Sequence, residues 1–407
     1  MIGHPTKTFF SISFDFVITQ TSIPYDLYIN SSGIKDKEKF IRVFPLGGVL
    51  TTDDVATFKK KYYQLYILES QRDFYLKSLI DCENVSSQEK TEVIKDSAII
   101  YLNNIFDESK EFTTELLGEA ISGCRDSVES MIDVINDYDV KKVQELIGSL
   151  SFHDFYTYDH SINVSMYCIS IFKALRPSAT REEVTMAGLG GLLHDLGKIK
   201  IPTNIINNPG KLTDEEFDEI KKHPAYGKEL LEENESCYEM AGVDFNVIKR
   251  IIYEHHENYN GTGYPKKIGG TDIHVLARIT AIADFFDAIT TKRSYHNVMP
   301  ISEALQLMEK TVGKKIDPKI FEVFKNNINQ FTEPAAKLNQ ILPEDFDPCS
   351  PHDELPLMEY TNKPNYQAED IFAETEQKKF GKIKSDFNSL KDDDNANPEK
   401  GIKKKAS

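Results

Sequence analysis

Residues 247–265 constrain this chain more than any other segment. Val247, Ile248, Ile251 and Ile252 recur at helical spacing, and the helix they predict runs into His255-His256-Glu257 and then NYNGTGYP. Two adjacent imidazoles and a carboxylate are polar groups that each need a partner if buried. Packing alone does not account for them. The following turn is built for close approach: Gly261 and Gly263 permit positive φ and leave room beside the backbone, and Pro265 fixes the exit. The rest of the chain supplies more residues of metal-ligand type, so it is read around this segment.

The 407 residues leave room for two or three domains with their own cores. Residues 1–82 read as a small α+β module: alternation over 10–17, short β-type runs at 27–29, 40–44 and 63–68, a Gly47-Gly48 turn, and a helix capped at Thr52-Asp53 that runs to Lys61. Nothing there has catalytic spacing, which points to a regulatory or docking module. Residues 83–150 turn helical (Val93, Ile94, Ala98, Ile99, Leu102; Leu116, Leu117, Ala120, Ile121) and read as a linker, with a dimer contact left open. Residues 151–342 hold the densest helical pattern. Val164, Tyr167, Cys168, Ile171, Phe172 and Leu175 share one face with His160 at its edge, and further helices are expected at 186–196, 247–256 and 275–289. Thr213-x-x-Glu216 is a capping box that opens a helix toward His223. Residues 343–407 are rich in Pro, carry Asp392-Asp393-Asp394 and end in a lysine run; they read as a largely disordered, solvated tail. The expected fold is mainly α: a helical-bundle catalytic domain between a small α+β module and the tail.

A net charge of −17 argues against an unaided grip on nucleic acid or an anionic membrane, and an anionic substrate would need local cations. No stretch has the length of a membrane span, and the N-terminus lacks the pattern of a signal peptide. Five scattered cysteines without a CxxC pair fit reduced thiols, so the expected location is cytoplasmic.

The candidate metal ligands are His160, His194, Asp195, His223, His255, His256 and Asp284. Neighbours on a helix differ by roughly 100°. His194 and Asp195 therefore point in neighbouring directions, which suits a carboxylate spanning two ions while the imidazole binds one. Nitrogen and carboxylate donors without thiolate favour Fe, Mn or Zn. A two-metal site bridged by hydroxide is suited to phosphoester hydrolysis. Lys198 either stabilises developing negative charge or serves as a helix C-terminal cation beside Gly197. Singly, each histidine is an ordinary core residue; together they have no shared packing explanation. His4, His153, His274, His296 and His352 carry no assignment.

His194-Asp195-x-Gly-Lys198, His223-Pro224, HHENYNGTGYP and Ala283-Asp284 through Arg293 together resemble the HD-GYP domain, a branch of the HD superfamily of metal-dependent phosphohydrolases. The resemblance covers roughly residues 151–331 and implies an HD-type helical bundle that cleaves cyclic di-GMP to pGpG or GMP. It implies that the seven residues above are metal ligands and that Lys198 is the charge-stabilising lysine. It also implies that Gly261, Gly263, Tyr264 and Pro265 shape the substrate pocket, with Arg293, and Arg278 as an alternative to a packing role, near the ligand. Three positions depart from the family's pattern: Asn260 where Asp is usual, Ser294-Tyr295-His296 where Pro-Tyr-Arg is usual, and Tyr156 where members with a third metal carry Glu. The last favours two divalent ions, iron or else manganese, over three. The N-terminal module resembles the small regulatory domain often joined to such units, so signalling partner proteins, through that module or the GYP loop, are expected beside a homodimer. The alternatives are a catalytically weak sensor that binds a cyclic dinucleotide or a protein, and a hydrolase of another cyclic dinucleotide.

Overall fold

The computed structural model describes residues 8–32, 38–62, 64–82, 85–107, 111–136, 138–150, 156–206, 212–237, 243–291 and 299–328. They divide between two compact units, one up to Ser78 and one from Leu79 onward.

The first unit carries a four-stranded antiparallel sheet in the order β1-β4-β2-β3, built from β1 (Phe9–Ile12), β2 (Leu27–Asn30), β3 (Phe40–Phe44) and β4 (Leu65–Leu68). Leu65 and Ile67 are buried at alternate positions along β4, as the two-residue period of a strand requires. Two helices accompany the sheet, α1 (Thr52–Lys61) and α2 (Arg72–Ile80). The cap of α1 lies one residue earlier than the sequence suggests, because Thr51 and Asp54 form a reciprocal capping box. Alternation over 10–17 also overstates β1: Ser13 caps a 3-10 turn at Phe14–Phe16, and the strand stops at Ile12.

Among its described residues the second unit is helical, without a named strand. Its elements are α3 (Ser87–Phe106), α4 (Thr114–Val134), α5 (Val140–Ser149), α6 (Tyr156–Leu175), α7 (Arg181–Leu193), α8 (Thr203–Ile206), α9 (Asp214–Ile220), α10 (His223–Glu233), α11 (Phe245–Glu254), α12 (Val275–Thr290), α13 (Ile301–Glu309) and α14 (Pro318–Ile328). The capping box at Thr213 opens α9 as expected. None of the described helices is long and apolar enough to cross a membrane.

The sequence pattern gives α6 one apolar face, yet every residue from 158 to 172 is buried. The helix lies at the centre of the unit, packed against α3, α5, α7, α12 and α14. A helix enclosed on all sides needs an internal partner for each polar side chain. Asp159, His160 and Asn163 meet that need with ion pairs and hydrogen bonds to α3 and α12. Leu189, Leu192 and Leu193 of α7 and Ile248, Ile251 and Ile252 of α11 complete the core beside it. Each such side chain contributes about 1.5–3 kcal/mol of burial. That core fixes the helices and helix ends from which the polar residues project.

Candidate metal centre

The seven candidate ligands come from five segments: His160 from α6, His194 and Asp195 from the end of α7, His223 from the start of α10, His255 and His256 from the end of α11, and Asp284 from α12. Six of the seven are buried, and His256 is partly exposed. Three triads bring their ligand atoms within 4.8 Å of one another: His160, His194 and Asp284; His194, Asp195 and His255; His223, His255 and His256. Sharing of His194 and His255 joins the triads into one cluster.

Helix ends prepare the imidazoles. A helix leaves its last carbonyls without intrahelical partners, and three of these accept from ring nitrogens. His194 Nδ1 donates to the Gly191 carbonyl at 2.7 Å, His223 Nδ1 to Ile220 at 2.8 Å and His255 Nδ1 to Ile252 at 2.8 Å. Each bond puts the proton on Nδ1 and leaves an Nε2 lone pair pointing into the cluster.

The helix through the HD pair ends sooner than the sequence suggests. It stops at Leu193, His194 is its cap, and Leu196–Lys200 forms a 3-10 turn. Gly197 is therefore not a helix terminator. A Cβ there would lie 1.9 Å from the His223 carbonyl oxygen and 2.4 Å from the Gly227 nitrogen, so glycine lets this turn press against α10. Asp195 (φ −93°, ψ 10°) aims its carboxylate back at the cluster. Its Oδ2 lies 3.3 Å from His194 Nε2, and its Oδ1 lies 3.3 Å from His223 Nε2. One carboxylate thus faces two halves of the site. Lys198 Nζ donates to Asp195 Oδ2 at 2.6 Å with a quarter of its side chain exposed, so its ammonium serves this carboxylate rather than the helix end.

His160 is held from both sides by α12, with Nε2 3.0 Å from Asp284 Oδ1 and Nδ1 2.7 Å from Asp287 Oδ2. Asp287 also accepts from Asn163 Nδ2 at 3.0 Å and Thr291 Oγ1 at 2.7 Å. Sequence reading missed Asp287. The available signal was its place one turn after Asp284, on the same helix face.

The charges follow from burial and neighbours. Burial pulls His223 down to about 4, with Asp195 opposing and Lys198 assisting. It pulls His255 to about 3, aided by His194 and His223, and His256 also falls well below the ordinary range. Burial alone would raise Asp195 and Asp284, but the His194 ring and Lys198 beside Asp195, and the His160 ring bonded to Asp284, outweigh it and hold both carboxyls well below their usual range. Burial would lower His160 as well, yet its bonds to Asp284 and Asp287 win and lift it to about 9.

The glycine-rich turn closes over one flank. Glu257 accepts from the Lys266 and Ile268 amides at 2.5 and 3.2 Å, so this carboxylate anchors the loop. Gly261 has the expected positive φ of +81°, but Gly263 does not; a Cβ at Gly263 would meet the Asn258 nitrogen at 2.2 Å, so space is what it supplies. Tyr264 stacks on the His256 ring (centroids 4.8 Å apart, planes 22°) and precedes Pro265 through a cis bond. Asn260 Oδ1 accepts from the Thr262 amide and hydroxyl and so caps the turn. Arg278 is engaged by Asp317 and the Ile273 carbonyl, where it anchors the turn before α14. His274 caps α12. Arg293, Ser294 and His296 lie outside the described residues, as do His4, His153, His352 and the expected tail at 343–407.

Residues 144–320 match the HD domain family. The cyclic di-GMP phosphodiesterase PA4108 of Pseudomonas aeruginosa is 34% identical over 216 residues, covering 52% of this chain and 49% of that protein. The 3'3'-cGAMP-specific phosphodiesterase 3 of Vibrio cholerae is 35% identical over 184 residues, covering 45% of this chain and 38% of its own length. The chain therefore spans half or less of these curated relatives. Among solved structures, Bd1817, a HDG"Y"P protein from Bdellovibrio bacteriovorus, aligns at a TM-score of 0.49 and 22% identity, over 79% of this chain and 100% of that one.

Proposed function

We propose that this chain uses residues 144–320, which match the HD domain family, as a metal-dependent phosphodiesterase that opens a cyclic dinucleotide, cyclic di-GMP first, to pGpG or GMP. One observation carries the reading. His223 Nε2 and His255 Nε2 face each other at 3.3 Å while both Nδ1 atoms donate to carbonyls, so two lone pairs meet with no proton between them. Burial keeps both rings neutral. Such a pair is repulsive alone and becomes favourable around a cation, so the donor set fits a metal.

The seven donors divide into two sets that meet at Asp195: His160, His194 and Asp284 beside its Oδ2 face, and His223, His255 and His256 beside its Oδ1 face. Two ions fit this division, and the nitrogen-and-carboxylate chemistry fits iron or manganese. When bound, they would acidify water and clamp phosphoryl oxygens. The chain's own residues do the rest. Asp287 holds a proton on His160 Nδ1, so that Nε2, once its own proton is displaced, can bind. Lys198 stands at the exposed edge, where an ammonium can hold a phosphoryl oxygen. Glu257 holds the loop, and Tyr264 shields the exposed face of His256. Residues 1–82 would be the regulatory module and 83–150 the linking helices.

A second substrate, 3'3'-cGAMP, is supported by the relative named for it. The test is anaerobic turnover of both dinucleotides by iron- or manganese-loaded protein, with Asp195→Ala as control. We expect hydrolysis that the control loses. No hydrolysis of either nucleotide by metal-loaded protein would overturn the proposal, and a preference for 3'3'-cGAMP would reassign the substrate.

A further inference from the structure

Lys95 is among the largest fully buried side chains of the chain, in the middle of α3. Its Nζ lies 2.8 Å from Asp159 Oδ1, with the two side chains 2% and 3% exposed. Asp159 directly precedes His160 in α6, and α3 holds this same turn at a second place: Tyr158 Oη donates to Asn103 Oδ1 at 3.4 Å and its ring meets Phe106. His160 then passes to Asp284 and Asp287 of α12. Polar contacts from α3 to Asp159 and from His160 to α12 are thus joined through two adjacent residues in the first turn of α6, which links α3 to the metal centre.

Stability gives no reason for a lysine at this position. Desolvation of a buried pair consumes most of its Coulombic gain, and apolar replacement of both partners is commonly neutral or stabilising. A buried ion pair does fix register, because any shift that separates its members strands two charges in the core. An apolar contact slides more freely.

We propose that Lys95 is a positioning residue of the metal centre: through Asp159 it fixes the register of α3 on the first turn of α6, and with it the approach of His160 to Asp284. The inference rests on the metal centre proposed above. Coupling of this kind is reciprocal. A displacement of α3 that parts the pair loosens the centre, and ions bound at His160 tighten α3.

Amide exchange of the wild-type protein with and without Mn(II) tests this directly. We expect exchange to slow across 92–99 of α3 as well as across 158–164 of α6 and in α12. Slowing in α6 and α12 with 92–99 unchanged would overturn the positioning role. No slowing in either region would refute the metal centre and the inference with it. A second experiment separates positioning from plain stability. Lys95→Met/Asp159→Leu should melt within a few degrees of wild type yet bind Mn(II) roughly tenfold more weakly. Lys95→Gln/Asp159→Asn, which keeps a hydrogen-bonded pair, should stay within about threefold of wild type on the same scale. Wild-type Mn(II) affinity in a folded Lys95→Met/Asp159→Leu protein would overturn the proposal. Should that variant not fold, the exchange result decides.

Discussion

Asp287→Asn is the substitution from which most can be learned about how this centre is held. The carboxylate is fully buried and accepts three hydrogen bonds, from His160 Nδ1, Asn163 Nδ2 and Thr291 Oγ1. An amide of the same shape has one acceptor oxygen and one donor group. If its oxygen faces His160, its NH2 faces the donors of both Asn163 and Thr291; if it is turned over, its NH2 faces the His160 Nδ1 proton. The first arrangement leaves a buried donor unmatched, at a cost of about 1–3 kcal/mol. The second drives the His160 proton onto Nε2, the atom that would bind metal. Loss of a carboxylate behind a ligand imidazole commonly weakens metal binding about 10- to 100-fold, or about 1.4–2.7 kcal/mol at 1.36 per decade. The assay is Mn(II) affinity by competition with a chromophoric chelator, beside thermal melting in the metal-free state. We expect at least a tenfold loss of affinity. Wild-type affinity in a folded Asp287→Asn protein would refute the argument that this carboxylate prepares His160.

Three further predictions follow from neighbouring features. Metal-free protein should lose stability as the pH falls from about 6.5, the ordinary His value, toward 4. His223 and His255 have folded values of about 4 and 3, so over this window the unfolded chain binds more protons and each ring costs on the order of 1 kcal/mol per pH unit. Urea melts in chelator at pH 7, 6 and 5 measure this, and equal midpoints would contradict it. Gly197→Ala should destabilise by about 1–3 kcal/mol, the usual cost of overpacking, because the new methyl meets backbone of His223 and Gly227 rather than a movable side chain; an unshifted melting temperature would count against this close approach. Glu257→Gln should speed amide exchange over 258–269 by weakening two charge-assisted bonds, on the order of 1–3 kcal/mol each, while metal content stays at the wild-type level. Loss of metal with an unchanged loop would assign Glu257 to the ligand set instead.

The candidate ligands were legible in the sequence because histidine pairs and His-Asp neighbours on apolar helices have no use in packing. The helical periods placed them on or beside helices, and the fold gathers all seven. What stayed hidden depended on long-range partners. Asp287 looks like one more carboxylate on an apolar helix until His160 is set against it. Lys95 sits in an amphipathic pattern where a lysine ordinarily faces water, and only the enclosure of α6 buries it. Glu257 reads as part of a ligand run, but the returning loop claims its oxygens. Arg278 reads equally as a cation near substrate or as a packing residue, and only Asp317, distant in sequence, shows what engages it. The helix end at Leu193 was misjudged because apolar residues continue past it; the 3-10 turn keeps Leu196 buried while it changes direction.

The most direct measurement is metal stoichiometry after anaerobic reconstitution with Fe(II) or Mn(II) and gel filtration, for wild type and Asp195→Ala side by side. A cluster divided about Asp195 should retain about two ions per chain, and Asp195→Ala should retain fewer while still folded. Retention of no ion by folded wild type, or equal retention by the two proteins, would contradict a centre built on Asp195.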